Sequence, residues 1–490
     1  MKQLCSVREF GKTFIALLVV ISFAALGSSG AFAADKAKLL KPFKNLSKES
    51  ANCASCHRKE NPSIYQQWGN SKHYGANVGC YECHKADVND PDVIRHKDFL
   101  ISVIVSPKDC AECHNEEGRQ FAKSRHANAA EVVGSLDHAL ATTVEGAATF
   151  HNQSPADISG CAQCHGSTIN ILPNGDLDPT TWPNTGIGRI NPDGSKGACN
   201  ACHQRHEFSV EQVRRPESCG YCHLGPDHPQ KEIYDESKHG ISFYANVDRM
   251  NLSSPKWVVG EDYNVAPTCS TCHMSATTEL PVTHDTGDRI SWTLRPPIAE
   301  KIDAKSVALG EKVAPWLLRR KDMKSVCRSC HTGGLVNNFY EQFDAVVNLY
   351  NNKFSKPGTK LMEAMEKNGL TTPDILFDDK VEWTWYQLWH HAGRNATQGA
   401  SMNAPDYTQW KGLYEVSKIF YTELVPQVNE LIAKAAKNGN KAGADAVQKV
   451  LDGILASEEH KWFTGHSTPE AKAKHAAARK QFKERYLQEK

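Results

Sequence analysis

The chain lacks a charge excess, an unused cysteine and a supply of methionine, and each lack excludes something. Its 57 basic and 56 acidic residues nearly cancel over 490 positions, so nothing marks a nucleic-acid or membrane-surface partner. Beyond the N-terminus no uninterrupted apolar run is long enough to span a membrane. Only seven methionines are present, Met1 included, too few and too badly placed to supply a set of thioether metal ligands.

At the N-terminus Lys2, Arg8 and Lys12 precede the apolar run "TFIALLVVISFAALG" and then "AFAA". A basic start, a short apolar stretch and small residues before a cut after Ala33 describe a secretory signal over 1–33. The mature protein is then expected outside the cytoplasm, in a periplasm or its equivalent, without a membrane span. A retained anchor is the alternative, and the cleavage-type ending argues against it.

Cysteine usage decides the class. Of 17 cysteines, Cys5 falls in the signal, and the other sixteen form eight pairs, each followed by histidine. In order they are Cys53, Cys56 and His57; Cys80, Cys83 and His84; Cys110, Cys113 and His114; Cys161, Cys164 and His165. Then come Cys199, Cys202 and His203; Cys219, Cys222 and His223; Cys269, Cys272 and His273; Cys327, Cys330 and His331. Disulfides, zinc or redox Cys-x-x-Cys sites do not explain a histidine after every pair. Covalent haem c does, because two thiols add to the vinyl groups and the adjacent imidazole becomes the proximal iron ligand. Eight covalently bound haem c groups are therefore expected.

The motifs run from residue 53 to 331 at irregular intervals of 20 to 58 residues, which favours a compact cluster over a solenoid. Loop-forming stretches such as "NILPNGDLDPTTWPNTGIGRINPDGSKG" suit a region whose core is filled by porphyrin. After His331 the composition favours helices over 338–368, 380–399, 408–435 and 441–485. The expected fold is mainly α with long loops: an octahaem domain over 34–335, then a long-helix domain over 336–490.

Eight of the 22 histidines are accounted for as proximal ligands. Histidine is the expected second axial ligand, which keeps reduction potentials low where methionine would raise them. The candidates are His73, His96, His126, His206, His239, His284 and one of His390 and His391. Three of them follow a serine in a Ser-Lys/Arg-His repeat (Ser71, Ser124 and Ser237). His206 lies three residues after a proximal ligand and can serve only a different haem. His138, His151, His460, His466 and His475 are read as structural or solvent-facing. Seven distal histidines for eight irons leave one iron with an open position, the mark of a catalytic site.

With these motifs, "VSPKDCAECH", "GPDHPQKEIYDESKHG" and "LWHH…PDYTQW", the chain resembles the hydroxylamine oxidoreductase family of octahaem cytochromes over nearly its whole mature length. The resemblance implies that the fourth haem, on Cys161, Cys164 and His165, is catalytic, with Asp227 and His228 as the acid–base pair of its distal pocket. It implies homotrimers in which a tyrosine from a neighbouring subunit is bonded to that haem in a P460 chromophore, the 336–490 region contributing to the interface. Reductive members lack this tyrosine. Here Tyr407 is the candidate and Tyr414 the alternative. Asp406 is expected to cap the helix that begins there, with Gln409 completing a capping box. Tyr407, Trp410, Tyr414, Tyr421 and Leu424 also share one helical stripe, which fits a core face; Tyr414 and Tyr421 are assigned to packing.

Oxidation of hydroxylamine to nitric oxide or nitrite is the expected activity, with a soluble c-type cytochrome as electron acceptor. Hydrazine oxidation, a reductive enzyme acting on nitrite or hydroxylamine, and a non-catalytic electron conduit are the alternatives. No motif reads Cys-x-x-Cys-Lys, which argues against nitrite reductases whose catalytic haem is held by lysine.

Overall fold

Among the residues that the computed structural model describes (45–133, 140, 143–144, 158, 160–303 and 313–486) helices dominate and strands are few and short. The segment read as a signal, with Cys5, lies outside these residues, as do His138 and His151. The chain groups into two compact units, one ending at Cys80 and one starting at Tyr81.

The first unit contains the helices Lys48–Glu60, Pro62–Asn70 and Lys72–Gly75. Ser47 caps the first by accepting from the Ser50 amide, and Pro62 opens the second where a missing N–H costs nothing. Trp68 is buried and donates from its indole nitrogen to the Val78 carbonyl at 2.9 Å.

The Ser-Lys/Arg-His repeat turns out to be one local device used three times. Ser71, Ser124 and Ser237 are buried. Each hydroxyl donates back to the carbonyl three residues earlier (Trp68, Phe121 and Tyr234, at 2.6, 2.6 and 2.7 Å). Each also accepts from the amide three residues later, at 3.1, 3.3 and 3.1 Å. One serine thus closes a helix and opens the next turn, holding the histidine two positions on in a fixed orientation.

In the second unit several motifs lie on short helical turns, while the eighth starts at the end of the helix Trp316–Arg328. Cys161–His165 and Cys269–His273 are helices that span their motifs and nothing more. Helical spacing puts the first cysteine and the histidine, four residues apart, on one face. Two-stranded antiparallel ribbons pair Ile94–His96 with Phe99–Ile101 and Trp292–Thr293 with Glu300–Lys301. His96 is exposed at the end of the first.

The longer helices follow. On Gly333–Tyr350 the buried residues are Val336, Tyr340, Phe343, Val347 and Tyr350, a four-three alternation that forms one apolar stripe. This helix continues through a π-helical turn, Asn351–Ser355, into Lys356–Lys367. Lys380–Tyr386 begins with a complete capping box between Asp379 and Glu382 and runs through the π-helical Gln387–Gly393 into Arg394–Ser401. Tyr350, Leu361, Met365, Trp385, Leu388, Phe420 and Val447 are among the residues that pack into one core.

Two expectations about helix ends need correction. The helix over "PDYT" is capped by Ala404, with Pro405 in its first turn, so Asp406 lies inside it and pairs instead with Lys411 at 3.1 Å. Proline's preset φ starts the helix one residue earlier than a capping aspartate would. The stretch 441–485 is two helices, Lys441–Leu455 and Pro469–Tyr486. Gly465 at φ 75° and Pro469 separate them.

Candidate haem sites and an acid–base cluster

Four of the histidines proposed as distal ligands stand next to motif histidines. Ring centres lie 6.4 Å apart for His84 and His206, 6.4 Å for His203 and His284, 6.0 Å for His126 and His223, and 6.0 Å for His239 and His331. Taking the ~2.0–2.1 Å bond that imidazole makes to zinc as a guide, one metal ion held between two imidazoles separates their centres by roughly 6 Å. His206 is paired across to the second motif, not to its neighbour His203.

Hydrogen bonds set the ring orientation. His84 donates from Nδ1 to the Ser102 carbonyl at 2.8 Å, an acceptor only, so its Nε2 carries the lone pair a metal needs. The Nδ1 atoms of His57 and His223 face the side-chain oxygens of Asn61 at 2.7 Å and Gln230 at 3.4 Å. Burial pushes His126 and His206 down to about 4 and His223 to about 3, which keeps them in the neutral form that binds iron.

None of the sixteen motif cysteines is in a disulfide. Thiol contacts join Cys110 to Cys199, Cys164 to Cys222 and Cys219 to Cys269. The third motif therefore abuts the fifth, and the sixth abuts both the fourth and the seventh. Cysteines outside any disulfide, oriented imidazoles and opposed histidine pairs fit covalent haem c. A redox relay needs this close spacing.

A separate cluster forms around Asp227. The turn Gly225-Pro226-Asp227-His228 links the sixth motif to the helix Gln230–Glu236, and Gly225 at φ 98° donates its amide to Glu232 Oε1 at 3.0 Å. Asp227 Oδ1 is 2.5 Å from His228 Nδ1, and His228 Nε2 donates to the Cys222 carbonyl at 2.8 Å. Arg394 Nη1 donates to Asp227 Oδ2 at 3.0 Å, and His390 Nε2 is 3.9 Å from the same oxygen. Burial works to raise the Asp227 pKa. The His228 hydrogen bond and the charges of His228, His390 and Arg394 outweigh it and hold the carboxyl well below the usual carboxylate range.

His390 sits in the π-helical turn Gln387–Gly393, a kind of irregularity common at functional sites. It is 4 % exposed, stacks on Tyr386 with centres 4.1 Å apart and faces its hydroxyl at 3.0 Å. Gly393 is required there, because a Cβ would come within 2.3 Å of the Tyr350 hydroxyl. The structure thus puts His390 in the Asp227 cluster. His391 packs edge-on against Tyr386. His73 stands on the helix Lys72–Gly75. The cluster also reaches the fourth motif, since His228 holds the Cys222 carbonyl and the Cys222 side chain contacts Cys164.

The aromatic stripe is divided differently from the sequence reading. Tyr407 is 8 % exposed and packs with Ile233 and Ala404, its ring 3.9 Å from Lys411 Nζ. Tyr414, assigned to packing, is 50 % exposed and lies beside the exposed Trp410. Tyr421 is half-buried, its hydroxyl 2.8 Å from Nδ1 of the buried His460; His466 and His475 are exposed. Sequence reasoning missed Arg394 and Tyr386. Each lies four residues from His390, so helical spacing around a histidine read as functional is the signal that could have found them.

Two family models match parts of the chain: one described as seven times multi-haem cytochrome CxxCH, over residues 190–375, and one for cytochrome c554 and c-prime, over 22–88 and 109–180. With the motifs and the opposed histidines, this makes the chain a multihaem c-type cytochrome carrying covalent haem c. It is similar to a probable nitrite reductase-hydroxylamine oxidoreductase fusion protein of Kuenenia stuttgartiensis, 26% identical over 254 residues. That match covers 45% of this chain and only 25% of the relative, so the chain spans about a quarter of that protein's length. Among solved structures, a hypothetical multiheme protein matches at a TM-score of 0.69 and 27% identity, over 81% of this chain and 98% of the other. A Kuenenia stuttgartiensis reducing HAO-like protein complex shares the fold at a TM-score of 0.56 and 19% identity, over 83% and 89%. Among the described residues no helix is long and apolar enough to cross a membrane.

Proposed function

We propose that the chain is an exported octahaem oxidoreductase of the hydroxylamine oxidoreductase type, reacting with a small nitrogen compound at the fourth of eight haems. The observation that carries this is the Asp227–His228 pair, anchored by Arg394 and joined through Cys222 to Cys164 of the fourth motif. Haem c, when bound, supplies an iron site for the nitrogen and one-electron carriers for the relay. The protein's own residues manage protons. The Cys222 carbonyl can only accept, so His228 carries a proton on Nε2, and one further proton is shared between Nδ1 and Asp227. Redox steps at nitrogen move protons with electrons, and this shared proton is the one the pair exchanges. His126, His206, His239 and His284, with His73, His96 and a further histidine, are the distal ligands in this reading.

The oxidative form, hydroxylamine to nitric oxide or nitrite, or hydrazine to dinitrogen, requires a P460-type fourth haem. Tyr407 of a neighbouring subunit in a homotrimer would supply its link, and a soluble cytochrome c would take the electrons. The reductive form, with nitrite or hydroxylamine as oxidant, is favoured by one observation: Tyr407 is packed against Ile233 of its own chain, where the oxidative form needs it to project. A reduced-minus-oxidised spectrum tests the choice, with haem-stained denaturing gels alongside. The oxidative form predicts the band for which P460 is named and a haem-linked oligomer; the reductive form predicts c-type bands and a monomer.

A further inference from the structure

Arg289 is 4 % exposed, and among the described residues its guanidinium makes no ion pair. Of the other buried arginines, Arg320 pairs with Asp344 and Arg394 with Asp227, while Arg189 and Arg319, among the described residues, bond to amide and carbonyl oxygens. Arg289 spends its terminal donors on backbone carbonyls. Nη1 donates to Thr271 at 3.4 Å and Cys272 at 3.2 Å; Nη2 donates to Ser275 at 2.9 Å and Pro281 at 3.1 Å. Thr271 and Cys272 belong to the seventh motif, and the other two carbonyls lie on the loop that leaves it. The fork therefore closes the end of the helix Cys269–His273 and ties down the segment that delivers His284 to within 6.4 Å of His203.

Burial disfavours the charged guanidinium here, and Cys272, Asp322 and Asp288 offset it only in part. Keeping an unpaired cation in such a place is costly unless its charge has a use. Ferric haem carries one more positive charge than ferrous haem, so a fixed cation nearby favours the reduced form.

We propose that Arg289 is a positioning residue that fixes the seventh motif and whose permanent charge raises the reduction potential of the haem attached there. The effect makes that haem an electron-accepting step in the relay. It holds whichever direction the nitrogen chemistry runs, because it depends only on haem c at Cys269 and Cys272.

The test is a spectroelectrochemical titration of the holoprotein with Arg289→Gln and Arg289→Lys. Arg289→Gln should lower one component's reduced-to-oxidised ratio about tenfold at a fixed potential, about 59 mV for one electron. Arg289→Lys keeps the charge but cannot reach four carbonyls, so it should melt earlier while that component stays near its wild-type position. An unchanged titration in Arg289→Gln overturns the proposal, as does an equal shift in both variants. If Arg289→Gln does not yield holoprotein, Asp322→Asn is used; removing that compensating charge should move the same component upward, and no movement overturns the proposal.

Discussion

Arg394→Gln is the perturbation that tests the Asp227 cluster most simply. Arg394 is buried, and its Nη1 lies 3.0 Å from Asp227 Oδ2 and 3.4 Å from the Asp227 carbonyl, while Nε holds the Arg295 carbonyl at 3.2 Å. Its guanidinium also stacks 5.2 Å from the Trp389 ring. Breaking a buried pair outright costs about 3–5 kcal/mol, because a charge is stranded. Asp227 keeps His228 as a partner, so the loss should be nearer that of one hydrogen bond to a charged group, about 1.5–3 kcal/mol. If that loss falls on the reacting state, turnover drops by roughly 10- to 100-fold, at about 1.36 kcal/mol per tenfold. The assay is steady-state turnover of hydroxylamine or nitrite with an artificial electron carrier, paired with urea unfolding. Arg394→Lys, which keeps the charge without the fork, should recover part of the activity. Wild-type turnover and unfolding midpoint in Arg394→Gln would refute the reasoning.

Three further outcomes follow from the geometry. Asp344 accepts from Arg320 at 2.6 and 2.8 Å and from the Trp292 indole at 2.8 Å. Asp344→Asn should therefore cost about 1.5–3 kcal/mol in urea unfolding. Although burial opposes it, these donors hold the Asp344 carboxyl below its ordinary value. Its stabilisation is thus fully present above the unfolded pKa of about 3.9 and is lost as pH falls through the lower folded value; an Asp344→Asn variant whose deficit persists unchanged in acid would contradict this. His206→Ala should open the iron that His84 holds, so the reduced protein binds additional carbon monoxide, whereas unchanged binding would remove His206 from the ligand set. Ser237→Ala, losing both the cap and the closing bond, should cost about 1 kcal/mol and broaden the spectrum of the haem served by His239, and thermal melts of holoprotein measure the first part.

Much of the haem region was legible because covalent attachment writes itself into sequence: each site needs two thiols and an adjacent imidazole. Two of the histidines that face motif histidines, His126 and His239, were legible through a local pattern. Ser71, Ser124 and Ser237 do one local job each, so the repeat survives as a pattern. Contacts made across long sequence separations were not legible. The pairing of His84 with His206, and of Asp227 with Arg394, depends on chain paths that no local rule sets. The stripe through Tyr407 and Tyr414 shows the limit of periodicity. Spacing puts the two tyrosines on related faces, but only the neighbouring helix Gln230–Glu236, which brings Ile233, decides which one is buried. Pro405 likewise moved a helix start by its ring geometry, where the aspartate beside it looked like the cap.

The central claim is that one haem, at the fourth motif, has an open iron position served by Asp227 and His228. Carbon monoxide titration of the fully reduced holoprotein tests it most directly, with Asp227→Asn as the comparison. The account predicts a single tight-binding haem whose carbon monoxide spectrum changes in the variant while the other haems do not. A reduced protein that binds no carbon monoxide, or binds it with a spectrum indifferent to Asp227→Asn, would contradict it.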